Sequence, residues 1–261
     1  MSAAQPQDFA ERPGAALVTG GSGGLGAEIC RLLAARGSAV AFSYRSRGEV
    51  AAELVAELES AGGRAAAYQA DLADEGSARA LGEAARERFG AIHTFVHAAG
   101  PHIPQLHLSR VEPGAFRAQL EQEAVGFFNA VQPLLGALRE SQGAIVAVTT
   151  AATRRYPVRD GLSAGAKGAV EALVRGLAAE EGGFGVRANC VGPGMLTDGM
   201  AERLIASGDL DEDALAVTRA NIPLRRFGGA LDIAEAVCFL ASDRAGFVSG
   251  QCLDVDGGYT V

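Results

Sequence analysis

Glu123 stands where the pattern calls for an apolar side chain. Phe116, Leu120, Phe127, Val131 and Leu134 recur at three- and four-residue steps, and Glu123 falls into that series. This puts a carboxylate on the apolar stripe of a helix, away from its solvent face. Charged groups are rare in such places unless they are paired or functional. Lys167 is the candidate partner, in either a structural ion pair or an acid–base set.

A second chemical feature is Thr19-Gly20-Gly21-Ser22-Gly23-Gly24-Leu25-Gly26, which follows the apolar run Ala15-Ala16-Leu17-Val18 and opens a helix-like stretch. Glycine tolerates backbone angles that other residues avoid and lets a phosphate approach the main chain. The helix start then offers free N–H groups and a partial positive charge. Strand, glycine turn and helix in this order point to a dinucleotide site, with Gly20, Ser22, Gly23, Gly24, Leu25 and Gly26 as its contacts. An acidic residue at the end of the second strand would favour NAD. The chain reads Ser43-Tyr44-Arg45-Ser46-Arg47 there, without an acid. Arg45 suits a 2′-phosphate, so NADP(H) is the expected cofactor.

The elements that must hold these residues alternate along the whole chain. Strand patterns fall at 15–19, 38–44, 64–69, 92–97, 143–149, 186–191 and 251–255. Helical patterns fall at 25–36, 49–61, 77–89, 113–139, 161–181 and 231–242. Such alternation predicts an α/β, doubly wound parallel sheet of about seven strands, with helices on both faces. A loop with His102, Pro104 and His107 precedes the long helix. Residues 197–221 are polar, charged and weakly helical, and read as an excursion that covers a substrate. One domain over 14–261 is expected, preceded by a polar extension at 1–13.

With 261 residues and 48% apolar side chains, a large core is available. A net charge of −8 argues against a general nucleic-acid or anionic-membrane surface. No apolar run reaches the roughly 18–20 residues of a membrane span, and the N-terminus lacks a secretory layout. Cys30, Cys190, Cys238 and Cys252 form no Cys-x-x-Cys pair. They read as buried free thiols of a cytoplasmic protein and not as metal ligands.

Thr19-Gly20-x-x-x-Gly24-Leu25-Gly26, Asp71-Leu72, Ala99-Gly100, Lys167, Pro193-Gly194 and Val255-Asp256-Gly257-Gly258 occur together and in order. In this the chain resembles the short-chain dehydrogenase/reductase family, from Gly14 to Gly258. The resemblance implies a Rossmann fold, an NAD(P)(H)-dependent oxidoreductase and a homo-oligomer, a tetramer or dimer. It implies that Asp71 and Leu72 touch the adenine. Gly194, Met195 and Thr197, after Pro193, would face the nicotinamide, and His97, Ala98, Ala99 and Gly100 would line the cofactor after the fourth strand.

The departures from the family concern the acid–base set. The usual Tyr-x-x-x-Lys falls on Ser163-Ala164-Gly165-Ala166-Lys167, so lysine is kept and tyrosine is serine. The usual serine falls on Thr150, and the helix asparagine on Glu123. A serine hydroxyl donates a hydrogen bond readily but a proton poorly, so Ser163 can polarise an oxygen without acting alone as its acid. The Ser-x-x-x-Lys run is similar to that of dienoyl-CoA reductases, which reduce conjugated C=C bonds of thioesters. Tyr156 either returns a phenol to the site or faces outward. Arg154, Arg155 and Arg159 either meet an anionic substrate or form a solvated charge run. The expected function is reduction of a conjugated C=C or a carbonyl in a small molecule. The alternatives are an NADP(H)-binding protein without redox activity, or a cyclase or dehydratase that uses Glu123.

Overall fold

Successive residues of the first strand enter opposite cores. Ala16 and Val18 pack with Ile29, Leu33, Phe42 and Val237. Ala15 and Leu17 pack with Leu81, Phe95, Phe127 and Val174. A period of two feeding two apolar layers is what a sheet covered on both faces requires. The computed structural model describes residues 6–101, 103–197 and 212–261.

The strands are β1 (Ala15–Thr19), β2 (Ala39–Tyr44), β3 (Ala65–Gln69), β4 (Ile92–His97), β5 (Ala144–Val148), β6 (Arg187–Pro193) and β7 (Cys252–Val255). They pair in parallel in the order β3-β2-β1-β4-β5-β6-β7. The helices are α1 (Gly24–Ala35), α2 (Gly48–Ser60), α3 (Glu75–Phe89), α4 (Pro113–Leu120), α5 (Gly126–Val131), α6 (Leu135–Ser141), α7 (Gly161–Glu181), α8 (Glu212–Asn221) and α9 (Ala230–Ala241). The strand order reverses between β1 and β4. In such sheets ligands bind beyond the carboxyl ends of the strands at this reversal.

Two expectations are corrected. The long helix is not continuous. A π-turn at Glu121–Val125 separates α4 from α5, and a 3-10 turn at Gln132–Leu134 separates α5 from α6. Pro133 sits in the second break, where a residue without an N–H cannot continue the helical ladder. The first break carries Glu123, and π-turns recur at functional sites. The N-terminal segment is not simply a polar extension. Phe9 is fully buried and stacks on His93 at 5.8 Å. Asp8 pairs with Arg36 at 3.4 Å and Arg244 at 2.9 Å, and Arg12 pairs with Asp243. Residues 1–5, His102, and 198–211 of the expected covering segment lie outside the described residues. No described helix is long and apolar enough to cross a membrane.

Candidate active site

A cavity of about 930 Å³ opens over the carboxyl ends of β1, β4 and β5. One wall is the glycine turn. Gly20 has φ +72°, and a Cβ there would lie 2.6 Å from Ala99 Cα. A Cβ on Gly26 would lie 2.2 Å from Gly20 O. The turn is held by β2: Gly20 N–H donates to Ser43 Oγ at 3.2 Å and Gly21 N–H to Ser43 O at 2.9 Å. No side chain caps α1 at Gly23, and Gly24, Leu25 and Gly26 line the cavity with Gly20, Ser22 and Gly23. A bare backbone cradle at an uncapped helix start fits a dinucleotide.

Arg45 stands at the same wall, with Nη1 donating to Gln122 Oε1 at 2.9 Å and Nη2 4.0 Å from Asp71 Oδ2. Arg47 joins it, with Nη2 3.9 Å from where a Cβ on Gly23 would be. Asp71 and Leu72 also line the cavity. Their loop is fixed by Ser77 Oγ, which accepts from Asp71 N–H at 3.0 Å, and by Asn129 Nδ2, which donates to Leu72 O at 3.0 Å.

At the other end the carboxylate of the π-turn meets the lysine of α7. Lys167 Nζ lies 2.7 Å from Glu123 Oε2 and donates to Val148 O at 3.1 Å. Both side chains are buried. Gln119 Nε2 donates to Glu123 Oε1 at 3.5 Å. A Cβ on Gly100 would lie 3.0 Å from Glu123 Oε1 and 3.6 Å from Lys167 Nζ, so glycine lets the chain after β4 pass the pair. Thr150 Oγ1 accepts from Ala152 N–H at 3.2 Å, which leaves its own proton to donate. Ser163 lies one turn before Lys167 on α7 and lines the cavity, with no hydrogen bond to its hydroxyl among the described residues. A buried cation, its carboxylate and two hydroxyls thus face one space, an arrangement able to hold a developing oxyanion.

A family model described as enoyl-(acyl carrier protein) reductase matches residues 20–260. The chain belongs to the short-chain dehydrogenase/reductase family. It is 35% identical to a cis-4-hydroxycyclohexanecarboxylate dehydrogenase of Sinomonas cyclohexanicum, over 97% of this chain and 98% of that protein. It is 32% identical to a 1-cyclohexenylcarbonyl-CoA reductase of Streptomyces collinus, over 100% of this chain and 92% of that protein. A blue fluorescent protein from a metagenomic library, solved in complex with NADPH, is 33% identical. It superposes with a TM-score of 0.87 over 97% of this chain and 100% of its own. The chain is thus an oxidoreductase of the short-chain family.

Of the residues expected to line the short-chain reductase site, Ala98, Ala99, Gly100, Pro193, Gly194 and Met195 do so. Three do not. His97 is fully buried behind the cavity, with Nδ1 3.0 Å from Thr19 Oγ1 and its ring edge-on to Phe127. Burial, and then the charge of Lys167, pull its pKa down to about 3, so it is neutral. Thr197 turns to Gly228: its N–H donates to Gly228 O at 2.9 Å and its Oγ1 to the same oxygen at 3.3 Å. Tyr156 is exposed and is not among the lining residues. Its hydroxyl instead crowds Gly161, where a Cβ would lie 2.9 Å from it. The arginines of its loop divide. Arg154 pairs with Asp254 at 2.8 Å and Glu171 at 3.5 Å, and Arg155 lies over the Tyr259 ring at 4.5 Å. Arg159 lines the cavity.

Gln105, Asp160 and Tyr259 also line the cavity and escaped the sequence reading. Arg47 and His107 line it too, and the sequence reading named them without giving them a role. Arg47 had a signal, since it shares the acid-free segment of Arg45. Asp160 precedes α7, where a carboxyl reads as a cap, yet its side chain makes no capping bond. Of the cysteines, Cys30, Cys190 and Cys238 are buried as expected, whereas Cys252 is only partly so.

Proposed function

We propose that the chain is an NADP(H)-dependent reductase of a conjugated C=C, of enoyl or dienoyl type, or of a carbonyl in a small molecule. The observation that carries this reading is the buried Lys167–Glu123 pair at 2.7 Å, facing the same cavity as the hydroxyls of Ser163 and Thr150. A nicotinamide dinucleotide held by the glycine cradle supplies the hydride.

The chain's residues then have separate tasks. Ser163 and Thr150 donate hydrogen bonds to the substrate oxygen on which negative charge grows. Lys167 adds a fixed positive charge close to them, and Glu123 holds that charge in place against Val148 O. The α7 position that would hold a phenol has only the Ser163 hydroxyl, which favours an enolate-like oxygen that needs donors more than an immediate strong acid. Arg159, which lines the cavity and has no ion-pair partner among the described residues, would meet an anionic substrate group. Exposed Val125, Phe128 and Phe184 suit contact with further copies, as a dimer or tetramer. The free thiols suit a cytoplasmic location.

The test is NADPH oxidation by the purified chain with 2-enoyl thioesters, 2,4-dienoyl thioesters and keto compounds. Turnover with one class is expected. Tight NADPH binding without turnover of any would mean a binding protein instead.

For the cofactor, Arg45→Ala should weaken NADPH binding about 10- to 100-fold, or roughly 1.5–3 kcal/mol for charge-assisted bonds. NADH affinity should stay as it is. Fluorescence titration measures both, and equal losses would show that Arg45 does not read the phosphate.

A further inference from the structure

Asp160 lines the cavity just ahead of α7, and nothing in the reductase scheme yet uses it. Three contacts fix it. Leu106 bridges Asp160 in parallel β fashion, Gln105 Nε2 donates to Asp160 Oδ1 at 3.2 Å, and Leu108 packs so tightly on Gly161 that a Cβ there would lie 2.3 Å from it. The strap at 105–108 therefore clamps the start of α7. Asp160 lines the cavity, three residues before Ser163, the hydroxyl that faces the same space. Its Oδ2 has no hydrogen-bond or ion-pair partner among the described residues.

We propose that Asp160 is the proton donor of this cavity. The inference rests on the reductase reading above. A reduced nicotinamide held by the glycine cradle would supply the hydride for a new C–H bond on the substrate and be left oxidised. The displaced electron pair moves to the carbonyl or thioester oxygen, held by Ser163 and Thr150. The Asp160 O–H bond breaks, and its proton goes to that oxygen, or to the α carbon as the enolate collapses. The remaining carboxylate regains a proton from water after product leaves.

A donor is helped by whatever disfavours its charged form. Burial pushes the Asp160 carboxyl above the usual carboxylate range, and the Gln105 amide pulls more weakly the other way. Among the described residues its side chain has one hydrogen-bond partner, a neutral amide that offsets little of the burial. The other charged or titratable groups lining the cavity here are Arg159 on its own loop, His107 on the strap, Lys167 on α7, Glu123 on the π-turn and Tyr259, whose ring lies under Arg155 of the same loop. Tyr156 stands outside, against Gly161.

The experiment uses the full chain with NADPH and the thioester or ketone it turns over. Asp160→Asn should lower kcat by roughly 10²- to 10⁴-fold, the usual reach of a general acid, with KM and NADPH affinity held. Asp160→Glu should restore part of the rate. The wild-type rate should fall as pH rises through the Asp160 pKa, and this limb should persist in His107→Gln and vanish in Asp160→Asn. In the cofactor-free protein, infrared spectra should show a protonated carboxyl band that Asp160→Asn removes. An Asp160→Asn enzyme that keeps its kcat, or loses only KM, overturns the proposal and spares the reductase reading. If Asp160→Asn does not fold, an Asp160→Glu enzyme with an unshifted pH limb overturns it equally. A wild type that oxidises no NADPH with any substrate overturns both.

Discussion

Lys167→Met is expected to destabilise the fold by about 3–5 kcal/mol and to abolish turnover. The methionine keeps much of the apolar stem but leaves Glu123 as a fully buried carboxylate whose one remaining hydrogen-bond partner among the described residues is the Gln119 amide at 3.5 Å. Taking one partner from a buried pair costs more than the pair contributes, because the remaining charge cannot regain water. Glu123→Leu should do comparable harm from the other side. The double variant, Glu123→Leu with Lys167→Met, should recover most of the lost stability and none of the activity. Urea unfolding of the four proteins, fitted as a double-mutant cycle, reads the coupling. Single variants with near wild-type midpoints would show that the pair is wet and carries little.

The second large effect is loss of stability in acid, centred on His97. The sign follows from its depressed pKa. In the folded chain His97 stays neutral down to about 3, whereas its ordinary value is 6.5. The unfolded chain therefore takes up a proton first as pH falls. The stability is complete above 6.5 and drains away between 6.5 and about 3. At about 1.4 kcal/mol per pH unit, the loss from His97 alone reaches roughly 3 kcal/mol by about pH 4.5. His93, stacked on Phe9 and pulled down to about 4 by burial, adds to the same window. His97→Phe should begin lower, since the Thr19 hydroxyl loses its partner, but its melting temperature should fall less between pH 6.5 and 4.5. Parallel curves for the two proteins would exclude His97 as the source.

The regular elements were legible because each strand is short, apolar and bounded by glycine or polar turns. β1, β4 and α7 fall where the pattern puts them. The Glu123–Lys167 pair was legible for a different reason: a carboxylate interrupting an apolar stripe needs a partner, and few basic residues were placed to supply one. The breaks around Glu123 and Pro133 were harder to read. A π-turn shifts the hydrogen-bond ladder without changing the apolar spacing enough to announce itself. Phe9 is one aromatic in a polar run, with no period to mark it as core. His97 shows the limit of reasoning from chain position. It follows the pattern of a cofactor-lining segment, but its side chain points into the layer of Phe95 and Phe127 behind the cavity. Asp160 was hidden because a carboxyl at a helix start has an ordinary use as a cap.

The proposed use of NADPH as hydride donor, without a phenol at the Ser163 position of α7, can be tested at the transferred atom itself. The most direct measurement is turnover with NADPH deuterated at the transferring position, followed by mass spectrometry of the product. One deuterium is expected on a product carbon, with equal NADP formed, and that transfer should be lost in Lys167→Met while NADPH still binds. A product that forms with no deuterium and no NADPH consumed would contradict it, and would place the chemistry of Glu123 and Lys167 outside redox catalysis.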